Sequence, residues 1–234
     1  MKFGIVGGLG PASTIVYYQE ILAACGSSET GYPPLVIDSI NMTAMCDGLA
    51  KGAYAEVTAI LVEALRNLQR AGATVAAIAS NTPHILLDDL RAQSPLPILS
   101  IVDAVCAYSK ACGYRRVLVL GTAFTMQDGL YARALPRYGI AAITPTAADI
   151  ARIQQIIFPN LENGIIIPAD RTALQQLAEA YIRQEAVDAV LLGCTELPLM
   201  LHAGDLTVPV IDSTAIHIQA IVEAIRQGTM AKSR

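Results

Sequence analysis

"VAAIASNTPHILL" at residues 75–87 and "VLLGCTELPLM" at residues 190–200 read as two copies of one pattern. Each is an apolar run of strand length that closes on small residues and opens a capped helical segment. The first turn carries Ser80 and the second Cys194. The flanks repeat too. "LPILSIVDAV" at 96–105 follows the first turn by nearly the interval at which "VPVIDSTAIHI" at 208–218 follows the second, each a proline, a short strand, then a helix. Two copies of roughly a hundred residues imply facing lobes rather than a solenoid, whose repeats are shorter.

Working outward, short apolar runs alternate with helical periodicity. Strands are expected at 3–7, 34–40, 74–79, 116–120, 140–143 and 188–192. Helices are expected at 11–25, 51–71, 83–92, 126–138, 147–158 and 170–185. Strands alternating with helices make parallel sheets covered on both faces. The expected fold is therefore α/β, with two pseudo-symmetric Rossmann-like lobes, each a parallel sheet flanked by helices. The first lobe spans 1–104 with a returning C-terminal helix at 213–234, and the second spans 105–212. Ligands of open parallel sheets bind at the carboxyl ends of strands, so both turns are expected to line an interdomain active-site cleft.

Composition narrows the partners. The chain of 234 residues is 53% hydrophobic and 15% charged, with no Trp, which excludes a disordered chain. A net charge of -4 and no Lys/Arg cluster speak against nucleic acid and for a small molecule. No apolar run has the length of a membrane span, and a glycine turn interrupts the start before a signal-peptide core forms, so no membrane association and a cytoplasmic location are expected. The five cysteines are odd in number and form no CxxC pair, signalling neither a disulfide framework nor a metal site. Cys25, Cys106 and Cys112 lie in Ala-rich helical stretches and read as packing residues. Cys46 follows the second expected strand.

Three stretches carry chemistry. In "GIVGGLGPAST" at 4–14, Gly8-x-Gly10-x-x-Ser13 approximates a dinucleotide loop, with Asp38 ending the next strand. The third glycine is missing, so a tight turn letting a small anion approach the backbone at Gly8 and Gly10 is the better reading. "SNTPH" at 80–84 places Ser80, Asn81 and Thr82 at a strand end. Thr82 suits a helix cap, Pro83 the first turn, and His84 the role of orienting the loop. "GCTELP" at 193–198 places Cys194 at a strand end ahead of a helix, where free N–H groups and the helix dipole would stabilise a thiolate. Glu196 is read as a cap partner or a polariser of that site. Lys51 and Thr125 are further polar candidates. Tyr131, Arg171 and Asp212 read as structural, through packing, pairing and capping respectively.

Together these residues resemble the cofactor-independent aspartate/glutamate racemase family, in its aspartate racemase-like branch, over nearly the whole chain. The carriers are Gly7-Gly8-Leu9-Gly10-Pro11, Asn81-Thr82-Pro83-His84, Gly121-Thr122 and Gly193-Cys194-Thr195-Glu196. The resemblance implies no cofactor, a homodimer, and racemisation of aspartate or glutamate by proton transfer between two bases. It implies that Cys194 is one acid/base and that Ser80 stands where the other cysteine is expected. It further implies that Asn81, Thr82 and Thr195 hold the substrate carboxylate, and that Lys51 pairs with a carboxylate. A basic residue expected just after Gly164 is replaced by Ile165. Ser80 has two readings: a Cys→Ser change that traps substrate and impairs activity, or a branch in which Cys194 works mainly from one face. The first is preferred, because every neighbour is what a two-cysteine enzyme would carry. A cofactor-free, single-cysteine decarboxylase or cis-trans isomerase of dicarboxylic acids is the alternative activity.

Overall fold

The computed structural model describes residues 1–26 and 31–230. The chain divides into two compact units, Met1–Ile101 with the segment from His217, and Val102–Ile216.

The first unit runs β1 (Phe3–Gly7), α1 (Pro11–Cys25), β2 (Leu35–Ser39), α2 (Met42–Ala50), α3 (Tyr54–Arg70) and β3 (Val75–Ile78). A 3-10 turn at Thr82–Leu86 then leads into α4 (Leu87–Gln93) and β4 (Ile98–Leu99). Its four strands are parallel in the order β2-β1-β3-β4. After α5 (Ile101–Ala111), the second unit runs β5 (Arg116–Gly121), α6 (Ala123–Gln127), α7 (Leu130–Ala134), β6 (Ala141–Ile143), α8 (Ala147–Ile157), α9 (Pro168–Glu185), β7 (Ala189–Gly193) and β8 (Val210–Asp212). These strands are also parallel, in the order β6-β5-β7-β8. The closing helix is α10 (Ser213–Met230).

The duplication is therefore one of topology: the two strand orders are the same once β5 is set against β1. Val6 pairs with Ile78 in one sheet and Leu120 with Leu192 in the other. Ser80 and Cys194 each lie two residues beyond those partners, so they are equivalent in register. This bears out two pseudo-symmetric α/β lobes.

Burial explains the strand composition. Every residue of β1 and of β7 is buried, as parallel strands covered on both faces require. On α3, Val57, Leu61, Leu65 and Leu68 recur at three- and four-residue spacing and are buried, while Glu63 and Arg70 pair at 2.8 Å in solvent. A Cβ at Gly4 would come within 3.1 Å of Leu68 and Ala73, so β1 and α3 pack through a glycine. The first core gathers Phe3, Ile5, Tyr17, Ile21 and Ile221. The second gathers Leu118, Ile153, Leu174, Leu192 and Cys194.

Four expectations require correction. The helix expected over 51–71 starts only at Tyr54, as α3, and a separate helix that was not expected, α2, precedes it. Asn41 caps α2, its side chain accepting from the Ala44 N–H at 3.2 Å, and Gly52, at φ 69, turns the chain into α3. The helix expected over 83–92 begins as a 3-10 turn that includes Thr82, with Asn81 rather than Thr82 at the cap position. The helix expected over 126–138 breaks at Gly129, φ 66, and ends in a 3-10 turn at Leu135–Tyr138 containing Pro136. Finally, Cys106 is buried, its thiol pushed up to about 12 by burial and then by Asp103, but Cys112 is exposed and Cys25 only half-buried. Ala-rich sequence near a helix end does not by itself cover a side chain. Among the described residues no helix is long and apolar enough to cross a membrane.

Candidate active site

In the first lobe, the strand-end turns are built around glycine and hydroxyl contacts. Gly8 has φ 79, and a Cβ there would lie 2.5 Å from the Ile40 carbonyl oxygen and 2.6 Å from Ser39 Oγ. Only glycine fits this turn. Its N–H donates to Thr14 Oγ1 at 2.9 Å, and Gly10, φ 106, hands the chain to α1 at Pro11. Asp38, which a dinucleotide reading would reserve for a ribose, instead accepts from Asn67 Nδ2 at 3.0 Å. Ser13, buried on α1, donates to the Ala79 carbonyl at 3.4 Å, which ties the glycine turn to the end of β3.

Ser80 is half-buried, and its N–H closes a tight turn onto the Ile78 carbonyl at 2.8 Å. The next residues fold back at once. The His84 N–H donates to the Asn81 carbonyl at 3.0 Å, and His84 Nδ1 lies 2.9 Å from the Ser80 carbonyl. A carbonyl only accepts, so Nδ1 carries a hydrogen, and the ring holds the Ser80 peptide from behind. Asn81 and His84 are both buried, while Thr82 is half-buried.

Behind His84 lies a polar chain whose site role the sequence does not reveal. His217 on α10 meets the His84 ring edge-on, with centroids 6.4 Å apart. His217 Nε2 lies 3.0 Å from the Leu99 carbonyl, so it donates, and Nδ1 accepts from the Tyr17 hydroxyl at 2.8 Å. Burial first, and the charge of His84 second, hold His217 down to about 3. It is a neutral strut.

In the second lobe, Gly121 and Gly193 pair across β5 and β7, and a Cβ on either would press on Thr125 at 3.1 Å. Thr125 is buried; its hydroxyl donates to the Gly193 carbonyl at 3.4 Å and lies 3.2 Å from Thr122 Oγ1. It thus braces the residue before Cys194. Cys194 is buried, and its thiol donates to Glu196 Oε2 at 3.1 Å. The Thr195 hydroxyl donates to the same oxygen at 2.7 Å.

The expected lowering of the Cys194 pKa is not found. Burial is the largest influence and the Glu196 carboxylate the next, and together they raise the thiol well above its ordinary value. The backbone N–H groups of Glu196 and Leu197 pull the other way and are outweighed. The physical reason is that Cys194 precedes only a 3-10 turn at Leu197–Leu199, too short to supply a macrodipole. Glu196 occupies the cap position of that turn without a side-chain cap bond. A second acid belongs to this cluster and went unread in the sequence: Glu162, in the 3-10 turn Leu161–Asn163, is held above the usual carboxylate range by burial first and by Glu196 second.

Of the remaining residues, Lys51 is exposed at the C-terminal end of α2. Tyr131 is fully buried, Arg171 pairs with Asp205 at 3.0 Å, and Asp212 caps α10 by accepting from the Thr214 and Ala215 N–H groups. Burial raises the Asp212 carboxyl, and those N–H bonds oppose it.

Comparison with known proteins agrees with this architecture. The Asp/Glu/Hydantoin racemase family model matches residues 6–221. An aspartate racemase homologue from Pyrococcus horikoshii superposes with a TM-score of 0.84 at 35% identity, covering 96% of this chain and 99% of its own. A candidate Asp/Glu racemase of Yersinia pestis superposes at 0.87 with 32% identity, covering 96% and 98%. The broad specificity amino-acid racemase RacX of Bacillus subtilis is 25% identical over 217 residues, 91% of this chain and 92% of its own. With its fold, its duplicated strand order and these matches along almost its full length, the chain belongs to the Asp/Glu/Hydantoin racemase family, a family of isomerases.

Proposed function

We propose that the chain racemises an amino acid, aspartate or glutamate first among candidates, without pyridoxal phosphate. Cys194 is the sulfur acid/base, and Ser80 is the group serving the other face of the same α-carbon. The observation that carries this reading is the register equivalence of residues 80 and 194 at the ends of β3 and β7. Racemisation removes the α-hydrogen from one face and returns a proton to the other, so two groups from a duplicated scaffold suit the geometry. The carbanion forms next to a carboxylate, where preorganised N–H and hydroxyl donors stabilise the developing charge. The Gly8–Gly10 backbone, the Asn81 and Thr82 turn, and Thr195 are the groups we assign to that carboxylate. Lys51 is assigned to a second, side-chain carboxylate.

Substrate breadth follows from what surrounds these groups. Ile165, 55% exposed, stands where the resemblance calls for a second basic residue, so the side-chain carboxylate is held by fewer charges. RacX, which is similar over most of both chains, is described as a broad specificity racemase. We infer that acidic amino acids are accepted without being exclusive.

The test is α-proton exchange in deuterated water, followed by proton NMR on both enantiomers of aspartate and glutamate. Exchange with inversion is expected, reduced by ~10²–10⁴-fold in Cys194→Ala, the usual worth of a positioned acid/base. Full exchange in Cys194→Ala would overturn the assignment. One observation favours a second reading: a hydroxyl at position 80 does not ionise near neutral pH, which suits chemistry needing a single sulfur. A cofactor-free decarboxylase or cis-trans isomerase of dicarboxylic acids would turn over malonate-like or unsaturated diacids and leave the amino-acid α-hydrogen untouched.

A further inference from the structure

We infer that Glu196 is the proton acceptor for Cys194, so that thiol and carboxylate act as one proton-sharing pair, with Glu196 as the positioning residue that sets when the sulfur becomes a base. The inference rests on the racemase reading for its use in turnover, but its geometry stands apart from any substrate.

Two hydrogens converge on one atom. Glu196 Oε2 receives the Cys194 thiol at 3.1 Å and the Thr195 hydroxyl at 2.7 Å. An ionised carboxylate has only acceptors, so both neighbours must be donors, and Cys194 rests as the neutral thiol. A neutral thiol is a proton donor. To remove an α-hydrogen it must first lose its own proton, and Glu196 is the acceptor already in hydrogen-bond contact. In that step the Cys194 S–H bond breaks and a Glu196 O–H bond forms, and the negative charge moves from oxygen to sulfur. The thiolate then takes the substrate α-hydrogen, which leaves thiol and carboxylic acid with one proton more than at rest, and the pair returns to thiol and carboxylate when Glu196 releases that extra proton to solvent. No oxidant, metal or further reactant is required.

The charges facing this pair are few. Among the described residues, Glu196 is the only charged side chain acting on Cys194, opposed by the Glu196 and Leu197 N–H groups; Glu162 faces Glu196 from its own turn. The sulfur is buried and its proton is held by desolvation and by Glu196. Removing the carboxylate must therefore let the thiol ionise at lower pH, while depriving it of its proton acceptor.

The experiment is a pH titration of thiolate ultraviolet absorbance, recorded on the intact chain as the difference from Cys194→Ser, so that the other cysteines and the tyrosines cancel. It needs no substrate, so its result is independent of whether the racemase reading holds. In Glu196→Gln the ionisation should move to lower pH, while Glu196→Asp should keep it high. Glu162→Gln removes a neighbouring charge but not the hydrogen bond, and should move it less than Glu196→Gln. Circular dichroism of each variant checks that the fold is kept. In parallel, α-proton exchange in Glu196→Gln should fall by ~10²–10⁴-fold, although more sulfur is ionised, as expected when a positioned base is lost. An unmoved thiol titration in Glu196→Gln, or an equal shift in Glu162→Gln, overturns the pairing.

Discussion

At the scale of single residues, the proposed chemistry turns on the divergence between Ser80 and Cys194. Both stand two residues beyond equivalent strand partners, yet one offers a hydroxyl and the other a sulfur. If position 80 serves the second face, Ser80→Cys should raise the racemisation rate by ~10²–10⁴-fold, read by polarimetry on either enantiomer, because a thiol can alternate between acid and base near neutral pH. An unchanged rate would remove residue 80 from the mechanism. The polar chain behind the Ser80 turn is open to test as well. Tyr17→Phe leaves the buried His217 Nδ1 without its donor and should cost ~1–3 kcal/mol in denaturant unfolding. At this scale the sequence was informative about residue types and silent about partners. Cys194 and Ser80 stand out as turn residues, but Glu162 lies more than thirty positions from Cys194, and nothing local connects them. The thiol pKa was misjudged because a strand end followed by Leu-Pro looks like a helix start and folds as one short 3-10 turn.

At the scale of elements, strands were legible and helix interruptions less so. β1 and β7 are fully buried apolar runs, and β3 and β5 are buried after their first residues, which leaves little choice of structure. The helix α2 was hidden because Met42–Ala50 is short and weakly amphipathic, while a glycine at 52 reads equally as a loop. Its packing explains the outcome: a Cβ at Gly48 would lie 2.6 Å from Val57 Cγ2, so the two helices meet closely. The glycine turns offer a contrast that can be measured. Gly8→Ala forces a side chain into positive φ and onto the Ile40 carbonyl, and should cost more than the ~1–3 kcal/mol typical of backbone strain alone. Gly52→Ala meets nothing within 4 Å, and its cost should stay inside that strain range. Urea unfolding of the two variants distinguishes steric from torsional demand; equal losses would mean that the β1–α1 turn yields easily.

At the scale of the whole molecule, acid sensitivity should originate in the first lobe. His217 has its pKa depressed from 6.5 to about 3 by burial and by His84. The unfolded chain therefore takes up this proton before the folded one does. Its contribution is present above about 6.5 and is lost progressively as pH falls toward about 3. His217→Gln, which can still accept from Tyr17 and donate to Leu99, should flatten the fall in stability over that window, followed by denaturant midpoints at successive pH values. An unchanged slope would assign the acid response to carboxylates elsewhere. The architecture itself was the most legible level, because a repeat of some hundred residues is visible without knowing any contact.

One consequence of the matched register concerns stereochemical bookkeeping. The Haldane relation forces overall interconversion of two antipodes to be balanced, but it places no such demand on isotope wash-in without inversion. If sulfur serves one face and an alcohol the other, only the antipode that presents its hydrogen to the sulfur should gather solvent deuterium while keeping its configuration.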